Sequence, residues 1–174
     1  GRNLEIAVVD GERGFGNGLP LPSGPLREPV SRLQTVDAVV VNGGRAALRD
    51  EWGAWAMTLE GAIFHNLLNP EFKAGPEQFR DRAVHAIAGI GHPQRFFSHL
   101  AELGLTFTAH AFPDHHAFTA RDLDLPGAEA ILMTEKDGVK CAAFASEKHW
   151  VLAVEAKVDP ALGERVLREL GKPR

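Results

Sequence analysis

Three imidazoles and a carboxylate fall within seven residues at His110…Asp114-His115-His116. Histidines beside a carboxylate suit proton transfer, contact with a charged substrate, or metal binding. A carboxylate next to a histidine fixes its tautomer and raises its basicity. Metal ligation is hindered by adjacency, because His115 and His116 in an extended segment point to opposite sides. Plain structural histidines are the third reading. A second constellation is Gly89-Ile90-Gly91-His92-Pro93-Gln94-Arg95. A glycine-rich turn leading into a helix is anion-binding geometry, and Arg95 can add a two-pronged grip on phosphate. The bland alternative is a tight turn with an arginine in solvent. A third is Gly24-Pro25-Leu26-Arg27-Glu28-Pro29. Its Arg-Glu pair can serve a phosphate and a magnesium ion, although a surface ion pair is the simpler reading of the pattern alone. Thr134-Glu135-Lys136-Asp137 reads as a helix cap.

The elements that must position these residues alternate in type. Buried strands are predicted over 4–9, 37–41, 83–88, 130–133 and 150–154. Alternating strands are predicted over 55–60 and 105–109. Helices are predicted from Pro93 to Gly104, from Thr134 onward and over 159–171, with a short one over 29–33. Residues 63–69 are ambiguous and 73–82 read as a connection. Residues 11–29 form a long Gly- and Pro-rich loop, and long ordered loops are usually functional. Strands separated by helices give an α/β fold, a mostly parallel sheet flanked by helices in three layers. The expectation is a single α/β lobe over 1–174. Ligands bind such sheets at the carboxyl ends of strands. The segments 11–29, 89–95, 110–116 and 134–140 follow strands, and all are expected at that edge.

Composition excludes several classes. Hydrophobic residues are 44% of the 174 and charged residues 24%, enough apolar chain for a packed core without staples. The net charge of −4 argues against a broad nucleic-acid footprint. Cys141 is the single cysteine, so no disulfide forms within the chain, and a small buried thiol is expected. No apolar run approaches the ~20 residues of a spanning helix. The chain is expected to be soluble. It opens without Met directly into a strand, which is the pattern expected of part of a longer protein. No G-x-x-x-x-G-K-[ST] or G-x-S-x-G motif occurs.

Taken in order, several motifs resemble one family. They are Val8-Val9-Asp10-Gly11 with Gly14-Phe15-Gly16-Asn17-Gly18, then Gly24 to Pro29, Ala88 to Pro93 with Phe96-Phe97, His110 to His116, and Met133 to Cys141. The sequence is similar along its whole length to the tetraacyldisaccharide 4'-kinases of lipid A biosynthesis, in lipopolysaccharide assembly. The resemblance implies the C-terminal lobe of a two-lobed P-loop kinase-like fold. It also implies a transferase that moves the γ-phosphate of ATP, with magnesium, to the 4'-hydroxyl of a tetraacyl glucosamine disaccharide 1-phosphate. ATP, Mg2+ and this acylated disaccharide phosphate are the implied cofactors and partner, with no nucleic acid.

The implied location is peripheral, on the cytoplasmic face of the inner membrane, reached through an N-terminal segment that this sequence does not contain. Carried over, Arg27 is an active-site residue near the phosphates and Glu28 serves the metal. One of Asp114, His115 and His116 partners the family's catalytic aspartate, with His115 or His116 the histidine expected to do so. Gly89, Gly91, Arg95 and His110 remain candidate substrate or phosphate contacts. The family's P-loop, base aspartate and Asp-Asp-Gly motif have no counterpart here, so the chain alone is expected to be inactive. Two other readings stand: a metal-dependent hydrolase built on His110, Asp114 and His116, and a non-catalytic substrate-binding lobe.

Overall fold

A computed structural model describes residues 4–44 and 46–171. Gly1, Arg2 and Asn3, on which the reading of the abrupt start rests, lie outside them. The chain divides into two compact units, Gly1–Glu60 with Glu155–Arg174, and Gly61–Val154. The chain passes from one unit to the other inside two strands, β3 (Trp55–Asn66) and β8 (His149–Val158).

In the first unit, β1 (Ile6–Asp10) pairs in parallel with β2 (Ala38–Asn42), and β2 pairs in parallel with the start of β3. Side chains alternate across a strand, so each face of this sheet buries its own set. Val9, Val39 and Val41 pack with Phe15, Leu33 and Trp52. Ala38 and Val40 pack instead with Leu162 and Val166 of the last helix, Pro160–Leu170. Asp159 caps that helix by accepting from the Ala161 amide. Helix α1 (Ala46–Trp52) was not foreseen.

The strands β1 and β2 end with their backbones nearly touching. A Cβ on Gly11 would stand 2.2 Å from the Gly43 carbonyl oxygen, and one on Gly44 would stand 2.0 Å from the Gly11 carbonyl carbon. Gly44 also sits at φ +70°, in the left-handed region that glycine tolerates best.

The second unit runs β5 (Val84–Ala88), α2 (Pro93–Glu102), β6 (Thr108–Ala111), α3 (Ala120–Leu123), β7 (Ala130–Thr134) and α4 (Glu135–Cys141). β5 pairs in parallel with both β6 and β7, and β7 with β8. A short antiparallel strand, β4 (Lys73–Ala74), lies against β3. One face of the sheet buries Ala86, Ala88 and Leu132 against Phe96, Phe97 and Leu100 of α2. The other buries Ile87, Ile131 and Met133 against Leu123 and Cys141. Helices cover both faces, which is the mostly parallel, three-layer α/β arrangement expected.

Three local expectations are corrected. The stretch 73–82 is more than a connection: it holds β4 and a 3-10 turn that buries Phe79 against Phe64 and Trp150. The 63–69 ambiguity resolves into strand as far as Asn66. The strand predicted over 105–109 pairs instead at Thr108–Ala111. Leu105 and Phe107 look strand-like because they alternate, but they pack into the core as loop residues.

Candidate functional site

The carboxyl ends of β5, β6 and β7 lie side by side by their pairing, so the segments after them are brought together. The chain turns sharply after β6. His115 has φ +61°, a left-handed conformation that is uncommon outside glycine. The His116 amide donates to the Pro113 carbonyl at 3.0 Å and the His115 amide to Asp114 Oδ1 at 3.0 Å. The segment is therefore a turn, not the extended stretch assumed from sequence, yet the two histidines still part company.

The His115 side chain is 78% exposed, with Nε2 3.7 Å from Asp114 Oδ2. His116 is packed between Phe112, stacked at 4.7 Å, and the edge of Phe118, at 4.9 Å. Its Nε2 lies 3.3 Å from Asp122 Oδ2. A carboxylate only accepts, so that nitrogen carries the proton.

Electrostatics reinforce the turn. Lys136 Nζ donates to Asp114 Oδ1 at 3.2 Å, and this bond, with the neighbouring His115, holds the Asp114 carboxyl below its ordinary range. Asp122 is held low chiefly by bonds from the Thr119 amide and hydroxyl, each 2.8 Å, and the amide bond is one half of a capping box at α3. Removing that cap as Asp122→Ala is expected to cost about 1–2 kcal/mol, read as a lower midpoint in urea unfolding of this chain. A midpoint unchanged from the parent contradicts the cap.

The glycine-rich turn takes the predicted form. Pro93 opens α2, and Gly104, at φ +78°, follows its end. Gly91 and His92 are exposed and Arg95 is half-buried on the first turn of α2. Gly89 is buried, and a Cβ there would stand 3.1 Å from the Phe118 ring and 3.3 Å from Asp137 Oδ1. Asp137 is fully buried. Its Oδ2 accepts from the Gly89 amide at 3.0 Å, a bond that ties the turn after β5 to the helix after β7. Reading Thr134–Asp137 as a cap is correct, since the Asp137 amide donates to Thr134 Oγ1 at 3.2 Å, but incomplete. The bond to Gly89 spans 48 residues, so no local pattern reveals it.

His110 is engaged elsewhere. Its Nε2 lies 2.9 Å from His85 Nδ1, and the two rings stack within 9° of parallel. Burial first, then the neighbouring His85, push its pKa down. His149 is pushed down by burial and by Lys148. Both rings are thus favoured neutral in the fold. The unfolded rings take up protons near pH 6.5 and the folded ones only at lower pH, so stability is full above about pH 7.5 and falls as the pH drops through 6.5. Urea midpoints measured from pH 8 to pH 5 should show this decline, and it should shrink in His110→Gln/His149→Gln. An unchanged slope contradicts the assignment.

His110, Asp114 and His116 do not converge. They pair respectively with His85, Lys136 and Asp122, and among the described residues no group of three or more His, Cys, Asp or Glu is placed to hold a metal ion. This corrects the hydrolase reading. Cys141 is a buried free thiol, its pKa pushed up to about 12 first by burial and then by Asp137. It stays protonated and unreactive.

In the first unit, Arg27 and Glu28 are exposed on the loop after β1. Glu28 Oε2 lies 3.7 Å from Arg32 Nε, and Glu28 lines a cleft of ≈ 280 Å³ with Glu5, Phe15 and Leu26. Among the described residues no helix is long and apolar enough to cross a membrane.

Comparison with known proteins gives a consistent result. The family model described as "Tetraacyldisaccharide-1-P 4'-kinase" matches residues 1–171. The tetraacyldisaccharide 4'-kinase of Methylobacillus flagellatus is 48% identical over 169 residues, covering 97% of this chain and 49% of that protein. Its counterpart in Azoarcus sp. is 48% identical over 176 residues, covering 99% of this chain and 51% of that protein. The chain thus spans about half the length of the curated relatives it matches. The fold is shared with a solved structure, the "apo" form of LpxK from Aquifex aeolicus in complex with ATP. The TM-score is 0.69 at 23% identity, over 98% of this chain and 53% of that one.

Proposed function

Because the chain belongs to the tetraacyldisaccharide 4'-kinase family, we propose that it forms part of an enzyme that phosphorylates the 4'-hydroxyl of a tetraacyl disaccharide 1-phosphate from ATP. The observation that carries this reading is the family match over residues 1–171. Within it, His115 is the histidine that partners the base aspartate. It is exposed, held in a left-handed turn and flanked by Asp114. Non-glycine residues in that conformation cluster at active sites. Its imidazole orients the aspartate and shares the proton taken from the sugar hydroxyl. His116, stacked and hydrogen-bonded, supports the turn.

Arg27 contacts a phosphate of ATP through its guanidinium. Gly91 and Arg95, with the turn at Gly89, contact the substrate phosphate. His110 reaches substrate only through Nδ1, the nitrogen not engaged by His85. Magnesium takes one or two carboxylates and completes its shell with phosphate oxygens and water. The Glu28 carboxylate is exposed and only loosely paired, 3.7 Å from Arg32 Nε, and so fits that role. Magnesium supplies charge neutralisation on the phosphates. The enzyme works at the cytoplasmic face of the inner membrane, where an acylated substrate resides.

Binding tests the reading. The P-loop supplies the backbone donors and lysine that cradle the phosphates of ATP, and this sequence lacks that motif. By calorimetry this chain alone is expected to show no low-micromolar affinity for Mg-ATP, whereas the full-length protein binds it. In the full-length protein, Glu28→Gln is expected to raise the magnesium concentration needed for binding. Tight Mg-ATP binding by this chain, or a Glu28→Gln protein with unchanged magnesium dependence, contradicts it.

A further inference from the structure

A carboxylate with no exposed surface is costly to keep unless it is paired and fully hydrogen-bonded. Asp137 meets that condition in an unusual way. Oδ2 accepts from Thr134 Oγ1 at 2.8 Å and from the Gly89 amide at 3.0 Å, while Oδ1 accepts from Lys140 Nζ at 2.8 Å. Lys140 Nζ in turn donates to the Gly89 carbonyl at 3.1 Å. One ion pair on α4 therefore grips both backbone groups of a single glycine in the turn after β5. Capping α4 requires only the bond to Thr134.

The same ammonium stands 5.5 Å over the Phe118 ring. Phe118 meets Phe112 edge-on at 5.0 Å and His116 at 4.9 Å. One residue before Asp137, Lys136 holds Asp114 at 3.2 Å. Lys136 directly, and Lys140 through Phe118, thus tie the Asp114–His116 turn to α4, beside the bond to Asp122 of α3. A well-packed apolar pair would hold two elements together at least as firmly as a buried ion pair. What an apolar pair cannot do is fix the register of a backbone amide and carbonyl.

We propose that the Asp137–Lys140 pair is a positioning device for the His115 turn, acting through Gly89 and Phe118. This rests on the reading of His115 given above. Neither residue touches the reacting groups. Both set where the turn stands.

The test is steady-state kinetics on the full-length protein with ATP and tetraacyl disaccharide 1-phosphate. Lys140→Met, Asp137→Asn/Lys140→Met and Lys140→Arg are each made alone and together with His115→Ala. Misplacing a catalytic group by about 1 Å can cost ~100-fold. Lys140→Met and the double variant are therefore expected to lower kcat by about 10–100-fold with KM for ATP within about twofold, and Lys140→Arg to restore much of it. In the His115→Ala background the same changes should cost less than about threefold more, since nothing remains to be positioned.

A folded Lys140→Met protein with parental kcat overturns the proposal, as does a loss that multiplies in full on His115→Ala. If Lys140→Met does not fold, the neutral double variant carries the test, because it leaves no unpaired buried charge. Failure of that variant to fold as well shows a structural role and overturns the proposal. If His115→Ala alone keeps parental kcat, it is the reading of His115 that fails, and the positioning role falls with it.

Discussion

Replacing His115 by Ala in the full-length protein is expected to lower kcat by about 10²–10⁴, the usual worth of an acid–base partner. KM for ATP should stay within about twofold, because in the proposed role the imidazole serves the hydroxyl nucleophile and not the nucleotide. His116→Ala should behave in the opposite way. Its ring stacks on Phe112, meets the edge of Phe118 and bonds Asp122, so its loss should cost about 1–3 kcal/mol of stability and little of kcat. The asymmetry follows from exposure: one ring is 78% exposed, the other 27%. Kinetics on both variants, with thermal melts as the folding control, check the pair. Parental kcat in both folded variants would make the motif structural.

The second large effect is at the ends of β1 and β2. Gly44→Ala places a methyl 2.0 Å from the Gly11 carbonyl carbon at a backbone angle of +70°. Neither side is a flexible side chain that can move aside. Overpacking and left-handed strain together should cost roughly 2–5 kcal/mol, and Gly11→Ala, which adds the crowding without the left-handed strain, about 1–3 kcal/mol. The loop bearing Arg27 and Glu28 begins at this contact. Urea unfolding of each variant against the parent measures the loss. A change below ~0.5 kcal/mol would mean that the two backbones do not meet as described.

The parallel strands were legible because strands buried on both faces are continuously apolar, as in Val39-Val40-Val41 and Ile131-Leu132-Met133. Helix α2 was legible from its punctuation, Pro93 at the start and Gly104 after the end. Short elements carried less signal. α3 is four residues long, and Phe79 is buried by a 3-10 turn within an otherwise polar stretch. The displaced β6 shows the limit of alternation, which loop residues packing into a core imitate.

At the candidate site, residue types single out the histidine segment, but its backbone is a turn and not the extended chain expected. Pro113-Asp114 is a turn signal that could have corrected the extended assumption. Asp137 was hidden because its local pattern is fully explained by capping. Its second partner, Gly89, is fixed only when β5 and β7 pair.

Phosphoryl transfer to an acylated disaccharide, the proposed activity, can be measured directly. The most direct measurement is single-turnover transfer of labelled γ-phosphate from ATP by the full-length protein, followed by chromatography of the lipid. Magnesium-dependent label on the 4' position of tetraacyl disaccharide 1-phosphate is expected, slowed at least about 100-fold by His115→Ala. Binding of the lipid without any transfer of label, or transfer at the parental rate in His115→Ala, would contradict it.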